Sequence, residues 1–154
     1  ERLVQAMSQL SHKCLLVMAG PNDFFWENIQ DLVIRLGVSD RVQHFSDISQ
    51  SKLAYLYKNC IAVVFPSLSE GFGLPLVEGV YFHKPIIGSD IPVFKELLGD
   101  QYIQFDPTRT KDIAGALDRF LATPGTRTFK PDIHNCSFKR MTDKIVHLYA
   151  LLTS

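Results

Sequence analysis

No apolar run in this chain approaches the ~20 residues that a bilayer-spanning helix requires, and no charged n-region, apolar h-region and cleavage site opens it. Those absences predict a soluble protein, with the cytoplasm as the expected compartment. Charge of one sign is missing too, because 16 basic and 16 acidic residues cancel. No net field therefore draws the chain to nucleic acid or to an anionic membrane, and any anion it binds must be held by local geometry.

Cysteine is scarce. Cys14, Cys60 and Cys136 are odd in number, widely spaced and set among apolar residues, which fits reduced core or near-core thiols better than a disulfide framework or a zinc site. The five histidines (His12, His44, His83, His134 and His147) show neither HExxH spacing nor pairing with cysteine, so no metal site is expected. No Gly-Lys-Ser/Thr sequence exists, which excludes the phosphate loop of nucleoside triphosphatases, and Gly79 does not extend Gly71-x-Gly73 into a dinucleotide fingerprint. No cofactor is expected.

What is present is enough apolar sequence for one core: 46% of 154 residues are hydrophobic. The sequence opens inside an element, as a fragment would, with Leu3, Val4, Met7 and Leu10 of "ERLVQAMSQL" at helical spacing. "KCLLVMAG" reads as a strand buried on both faces. "FFWENIQDLVIRLG" places Phe25, Ile29, Leu32, Val33 and Leu36 on one helical face, with Gly37 at the helix stop. "RVQHF" predicts a strand, and the next helix is capped by Ser49 or Ser51, with Leu53, Leu56 and Tyr57 as its apolar positions.

"IAVVF" is β-branched, apolar and ended by Pro66, the strongest strand signal in the chain. "LPLVEGVYF" reads as a helix start, since proline in the first turn loses no intrahelical bond. Then follow a strand in "KPIIGS", a short helix closed by Gly99, a strand in "QYIQF", a helix capped by Thr110 and a final helix over 137–152. Such alternation predicts one α/β domain over 1–154, a doubly wound parallel sheet with helices on both faces. Ligands in such sheets bind where a strand's carboxyl end turns into a helix.

"FPSLSEGFGLPLVEG", 65–79, is such a place. At the start of a helix several N–H groups lack partners and the dipole favours anions, so a diphosphate fits without net basic charge. Gly71 and Gly73 would let the backbone approach a ligand, because a Cβ would obstruct both turn and ligand. Glu70 precedes the helix and Glu78 lies about one turn inside it, so the two carboxylates can meet an elongated polyhydroxylated ligand at two points. Turn chemistry and dipole complementation would use the same residue types.

The stretch "VVFPSLSEGFGLPLVEGVYFHKPIIGSDIPVFKELLGDQYIQFDP" closely resembles the donor-binding region of family 4 (group 1) retaining glycosyltransferases, enzymes of two facing Rossmann-like domains, the GT-B fold. Glu70 and Glu78 match that family's Glu-x7-Glu motif. "RVQHFSDISQSKLAYLYKNC" and "CSFKRMTDKIVHLYALL" resemble the flanking elements, so the resemblance covers nearly the whole chain.

The resemblance implies that the chain is the C-terminal, donor-binding domain, N-terminally truncated. Glu70 would be the catalytic residue, bonding hydroxyls of the donor sugar. Ser69, Gly71, Phe72, Gly73 and Leu74 would line the sugar and diphosphate, and Glu78 would hold the ribose. It also implies retention of anomeric configuration, a metal-independent donor site, and an acceptor sugar, lipid or glycan bound by an absent N-terminal domain. Membrane association stays open.

Departures from the family are visible. Its Gly-Arg-x5-Lys-Gly loop, which neutralises the departing diphosphate, has no counterpart in this sequence. The 154 residues alone are therefore expected to be inactive in transfer. Ser46-Asp47 stands for a Gly-aromatic pair, leaving Ser46, Asp47 and Ile48 as the base pocket. Gly79 replaces the usual alanine and His83 a usual small residue, both expected to be tolerated. The family's strand order 3-2-1-4-5-6 puts an absent strand between "CLLVM" and "IAVVF". A non-catalytic nucleotide-sugar module completed by a separate partner chain is the alternative.

Overall fold

A computed structural model describes residues 1–124. The predicted helix over 137–152, Cys136, His134 and His147 lie outside the described residues. Through the rest, helices and strands alternate: α1 (Arg2–Met7), β1 (Leu16–Ala19), α2 (Phe24–Arg35), β2 (Val42–Phe45), α3 (Gln50–Asn59), β3 (Val63–Phe65), α4 (Leu74–Tyr81), β4 (Ile86–Ser89), α5 (Pro92–Leu98), β5 (Ile103–Phe105) and α6 (Thr110–Ala122).

Every strand pairing is parallel. β1 pairs with β2, Leu16 opposite Val42, while β3, β4 and β5 form a second sheet in that order, with Val63 opposite Ile86 and Ile87 opposite Ile103. All four residues of β4 are buried, because adjacent side chains leave a strand on opposite faces and both faces are covered. Ile87 enters a cluster with Leu3 and Ala6 of α1 and with Ile113, Ala116, Leu117 and Phe120 of α6. Ile86 enters another, with Leu76 and Val80 of α4 and Phe94 and Leu98 of α5. This is the doubly wound arrangement that the alternation of elements predicts.

β1 and β3 do not pair, as the expected strand order requires. Leu16 of β1 and Val64 of β3 instead pack into the same cluster beneath α1 and α6, so side chains join the two sheets.

Three local expectations are corrected. β1 is not buried on both faces: Leu16 and Met18 pack under α1 and α2, whereas Val17 is 38% exposed, because no buried cluster among the described residues covers its face. Phe25 is 75% exposed rather than part of the apolar face of α2, since the core engages that helix only from Ile29 onward. Thr110 does not cap α6. Arg109 occupies the cap position with no side-chain bond, and the Thr110 hydroxyl reaches Gln5 Oε1 on α1 at 3.1 Å.

Elsewhere local chemistry sets the ends. Asp23 accepts from the Trp26 N–H at 3.0 Å at the start of α2, and Gly37 follows that helix with φ +66°. Of the two serines before α3, Ser49 is the cap, accepting from the Lys52 N–H.

Candidate functional site

β3 ends at Phe65, and the chain turns through 66–73 before α4 begins. Gly73 closes this turn in the left-handed region (φ +79°, ψ +51°), which an L side chain adopts only at a cost. Its carbonyl accepts from the N–H groups of Leu76 and Val77 and so starts the helix, with Pro75 in the first turn. The N–H groups of Gly71, Phe72, Gly73 and Leu74 find no acceptor among the described residues. Those of Gly73 and Leu74 are orphan donors expected at a helix start, and those of Gly71 and Phe72 belong to the turn before it; Gly73 is buried, whereas Gly71, Phe72 and Leu74 are exposed.

Gly71 corrects an expectation. Its φ is not in the left-handed region and a Cβ there would meet nothing within 4 Å, so the turn itself does not require glycine at 71. At Gly73 a Cβ would lie 3.5 Å from Phe94 Cε1, an ordinary contact, and backbone conformation alone makes the demand.

The two carboxylates flank this turn, and neither is buried. Glu70 is half-buried, and the Ser67 hydroxyl donates to its Oε1 at 2.8 Å. Glu78 is exposed on α4 and takes the Tyr57 hydroxyl on Oε2 at 3.0 Å. That hydroxyl also lies 3.2 Å from the carbonyl of Pro75, so one phenol on α3 touches both the first turn of α4 and its acid. Burial, and then the bond to Glu78, push the Tyr57 pKa well up, so the phenol stays a donor. The Tyr57 ring stacks on Phe82 with centroids 5.2 Å apart and planes 6° from parallel. Lys84 donates to the carbonyls of Lys58 and Cys60, tying the end of α3 to the segment after α4.

Ser46, Asp47 and Ile48 follow β2. Asp47 takes a left-handed φ of +48°, which aspartate tolerates better than most residues, and Ser46 and Asp47 are exposed while Ile48 is half-buried. Among the described residues no hydrogen bond joins this loop to the 66–74 turn. The connection runs through α3, which begins just after the loop and carries Tyr57 to Glu78.

The profile of the family described as Glycosyl transferases group 1 matches residues 1–129. The chain belongs to the group 1 glycosyltransferases. It is 33% identical over 110 residues to the O-antigen chain mannosyltransferase RfbU of Salmonella typhimurium, an alignment covering 71% of this chain and 31% of that protein. Among solved structures, a glycosyltransferase from Rickettsia africae superposes with a TM-score of 0.83 at 23% identity, over 99% of this chain and 44% of that one. HepE of Anabaena, solved in complex with UDP and glucose, superposes with a TM-score of 0.79 at 19% identity over the same two shares. At these identities the structural likeness shows the fold, that of the Rossmann-like half of a GT-B protein. The chain spans between 31% and 44% of the length of these three proteins.

Within this group 1 glycosyltransferase domain the structure adds two residues that sequence reasoning missed. Ser67 has a local signal, since Ser-x-x-Glu can fold a hydroxyl onto the carboxylate three residues on. Tyr57 has none. It lies 21 residues from Glu78 and reads from sequence only as an apolar position of α3.

Gly79 packs closely against the sheet. A Cβ there would stand 2.9 Å from Ile86 Cδ1, so alanine fits against the sheet only if that buried methyl moves. His83 sits at φ +54° just past α4, a conformation that histidine adopts more readily than β-branched residues do.

Proposed function

We propose that this chain is the donor-binding domain of a retaining glycosyltransferase, holding a nucleotide-diphosphate sugar for transfer to an acceptor that another domain of the whole protein presents. One observation carries the reading: four unpartnered N–H groups, in the turn leading into α4 and at its first residue, lie along the chain between two unburied carboxylates, each with one oxygen braced by a hydroxyl. Amide donors suit a diphosphate, and carboxylates suit the hydroxyls of a sugar and a ribose. Group membership and the UDP and glucose bound in HepE agree with that ligand class.

In this reading Glu70 is the catalytic residue, orienting the donor sugar through its hydroxyls. The N–H groups of Gly71 to Leu74 take the diphosphate, with Ser69 and Phe72 beside it, and Glu78 holds the ribose. Ser46, Asp47 and Ile48 border the base. As the bond from the anomeric carbon to the diphosphate breaks, negative charge grows on the departing oxygen, and unpartnered amides that bond it would lower the barrier. They supply part of the stabilisation, so the domain alone binds donor without transferring sugar. The free thiols of Cys14 and Cys60 fit the reducing cytoplasm, the compartment this reading assigns. No observation favours a non-catalytic module over an enzyme domain.

Calorimetric titration of the chain with UDP and GDP, beside UDP-glucose and GDP-mannose, tests the proposal. One nucleotide series should bind, and Glu78→Ala should weaken both members of it. Glu70→Ala should weaken the sugar-bearing ligand more than the free diphosphate. Absence of binding in both series, or indifference to both substitutions, overturns it.

A further inference from the structure

Tyr57 belongs to no motif, yet its hydroxyl ends on one of the two carboxylates at the site. An exposed glutamate on a helix surface samples several rotamers and must be fixed when a ligand uses it, which costs entropy on binding. Here the fixing is built in. The phenol donates a charge-assisted bond to Glu78 Oε2 at 3.0 Å, and the same hydroxyl lies 3.2 Å from the Pro75 carbonyl in the first turn of α4. The ring is held by its stack on Phe82 and α3 by the two bonds from Lys84, so the hydroxyl arrives on a rigid support. Glu78 Oε1 takes no bond from any described residue.

We propose that Tyr57 is a positioning residue for nucleotide recognition: its hydroxyl fixes Glu78 so that Oε1 meets the vicinal hydroxyls of the ribose. This rests on the reading of Glu78 as the ribose partner. A purely structural tie between α3 and α4 would move stability alone. A positioning role also makes the loss depend on the ligand's 2′- and 3′-hydroxyls, because only those reach Glu78.

The test is calorimetry on the full chain with UDP, GDP and ADP, then with the 2′,3′-dideoxy form of whichever binds most tightly. The variants are Tyr57→Phe, which keeps the ring on Phe82, Glu78→Ala, and both together. Tyr57→Phe should raise the Kd of the ribonucleotide about tenfold and leave that of the dideoxy form unchanged. In the Glu78→Ala background the same substitution should have no effect on the ribonucleotide.

If Glu78→Ala weakens the ribonucleotide and Tyr57→Phe does not, the positioning role is overturned and the reading of Glu78 stands. Equal weakening of ribo and dideoxy ligands by Tyr57→Phe also overturns it, placing the effect in the turn instead of the carboxylate. Indifference to Glu78→Ala, or no binding of any of the three nucleotides, removes the reading of Glu78 and the positioning role with it.

Discussion

The hydroxyl of Ser67 donates to Glu70 Oε1 at 2.8 Å, so the serine three residues before the acid sets the direction of its carboxylate. Ser67→Ala leaves a half-exposed glutamate that water can reach, so thermal stability should change by less than ~1 kcal/mol. The effect should appear in the sugar. The gain in affinity of UDP-glucose over UDP, or of GDP-mannose over GDP, should shrink by about 3–10-fold while the free diphosphate binds as before. Equal weakening of both ligands would count against Glu70 as the sugar's partner.

Gly71 and Gly73 separate the needs of the fold from those of the ligand. Gly73→Ala places a Cβ at φ +79°, which should cost about 1–2 kcal/mol and lower Tm by several degrees in a chain of this size. Gly71→Ala meets open space and an unstrained backbone, so stability should hold within ~0.5 kcal/mol. Its Cβ would intrude where a diphosphate approaches the amides, and UDP or GDP binding should fall. Unfolding scans beside calorimetry on the two variants check both expectations.

Gly79 and Ile86 should be energetically coupled. Gly79→Ala gains about 1 kcal/mol of helix propensity but forces Ile86 Cδ1 away from a 2.9 Å approach, and overpacking of a buried site typically costs ~1–3 kcal/mol. Ile86 is fully buried in the central strand of its sheet, so a net loss is expected. Ile86→Val removes Cδ1. Alone it should cost ~0.5–1.5 kcal/mol, and in the Gly79→Ala background it should cost less or become favourable. Urea unfolding of the two single variants and the double measures the coupling.

Tyr102 predicts a loss of stability at alkaline pH. Its hydroxyl donates to the Ser89 carbonyl at 3.3 Å, and burial, then Asp90 and Asp100, push its pKa up to about 12. Unfolded, a tyrosine ionises near ~10. The folded state holds the proton more tightly, so this contribution is complete below pH ~10 and is lost as pH rises towards 12, by up to about 3 kcal/mol. Comparing wild type with Tyr102→Phe in urea at pH 8, 10 and 11 isolates it from the other tyrosines. The stability gap between them should narrow as pH rises, and a constant gap would contradict the assignment.

Much of the fold was legible because its elements carry their own signals. α2 has its stop at Gly37, and β4 is an apolar run short enough for a strand. The place of the site was legible too, since a strand followed by a glycine-bearing helix start is a local pattern. Phe25 and Thr110 were misread for one reason. Periodicity says which residues share a face and composition says which could cap, but neither says what stands opposite. The core meets α2 only from Ile29, and Gln5 offers the Thr110 hydroxyl a partner on another helix.

From the sequence alone came the order and type of the elements, the family likeness and the two acids bracketing a helix start, because each rests on residues within a few turns of one another. Only the tertiary structure decided that Leu16 and Val64 join the two sheets in one cluster, that Gln5 takes the Thr110 hydroxyl, and that Tyr57 reaches across to Glu78. Those outcomes depend on distances between segments far apart in the chain. Such distances are set by how whole helices and sheets pack, which no local spacing encodes.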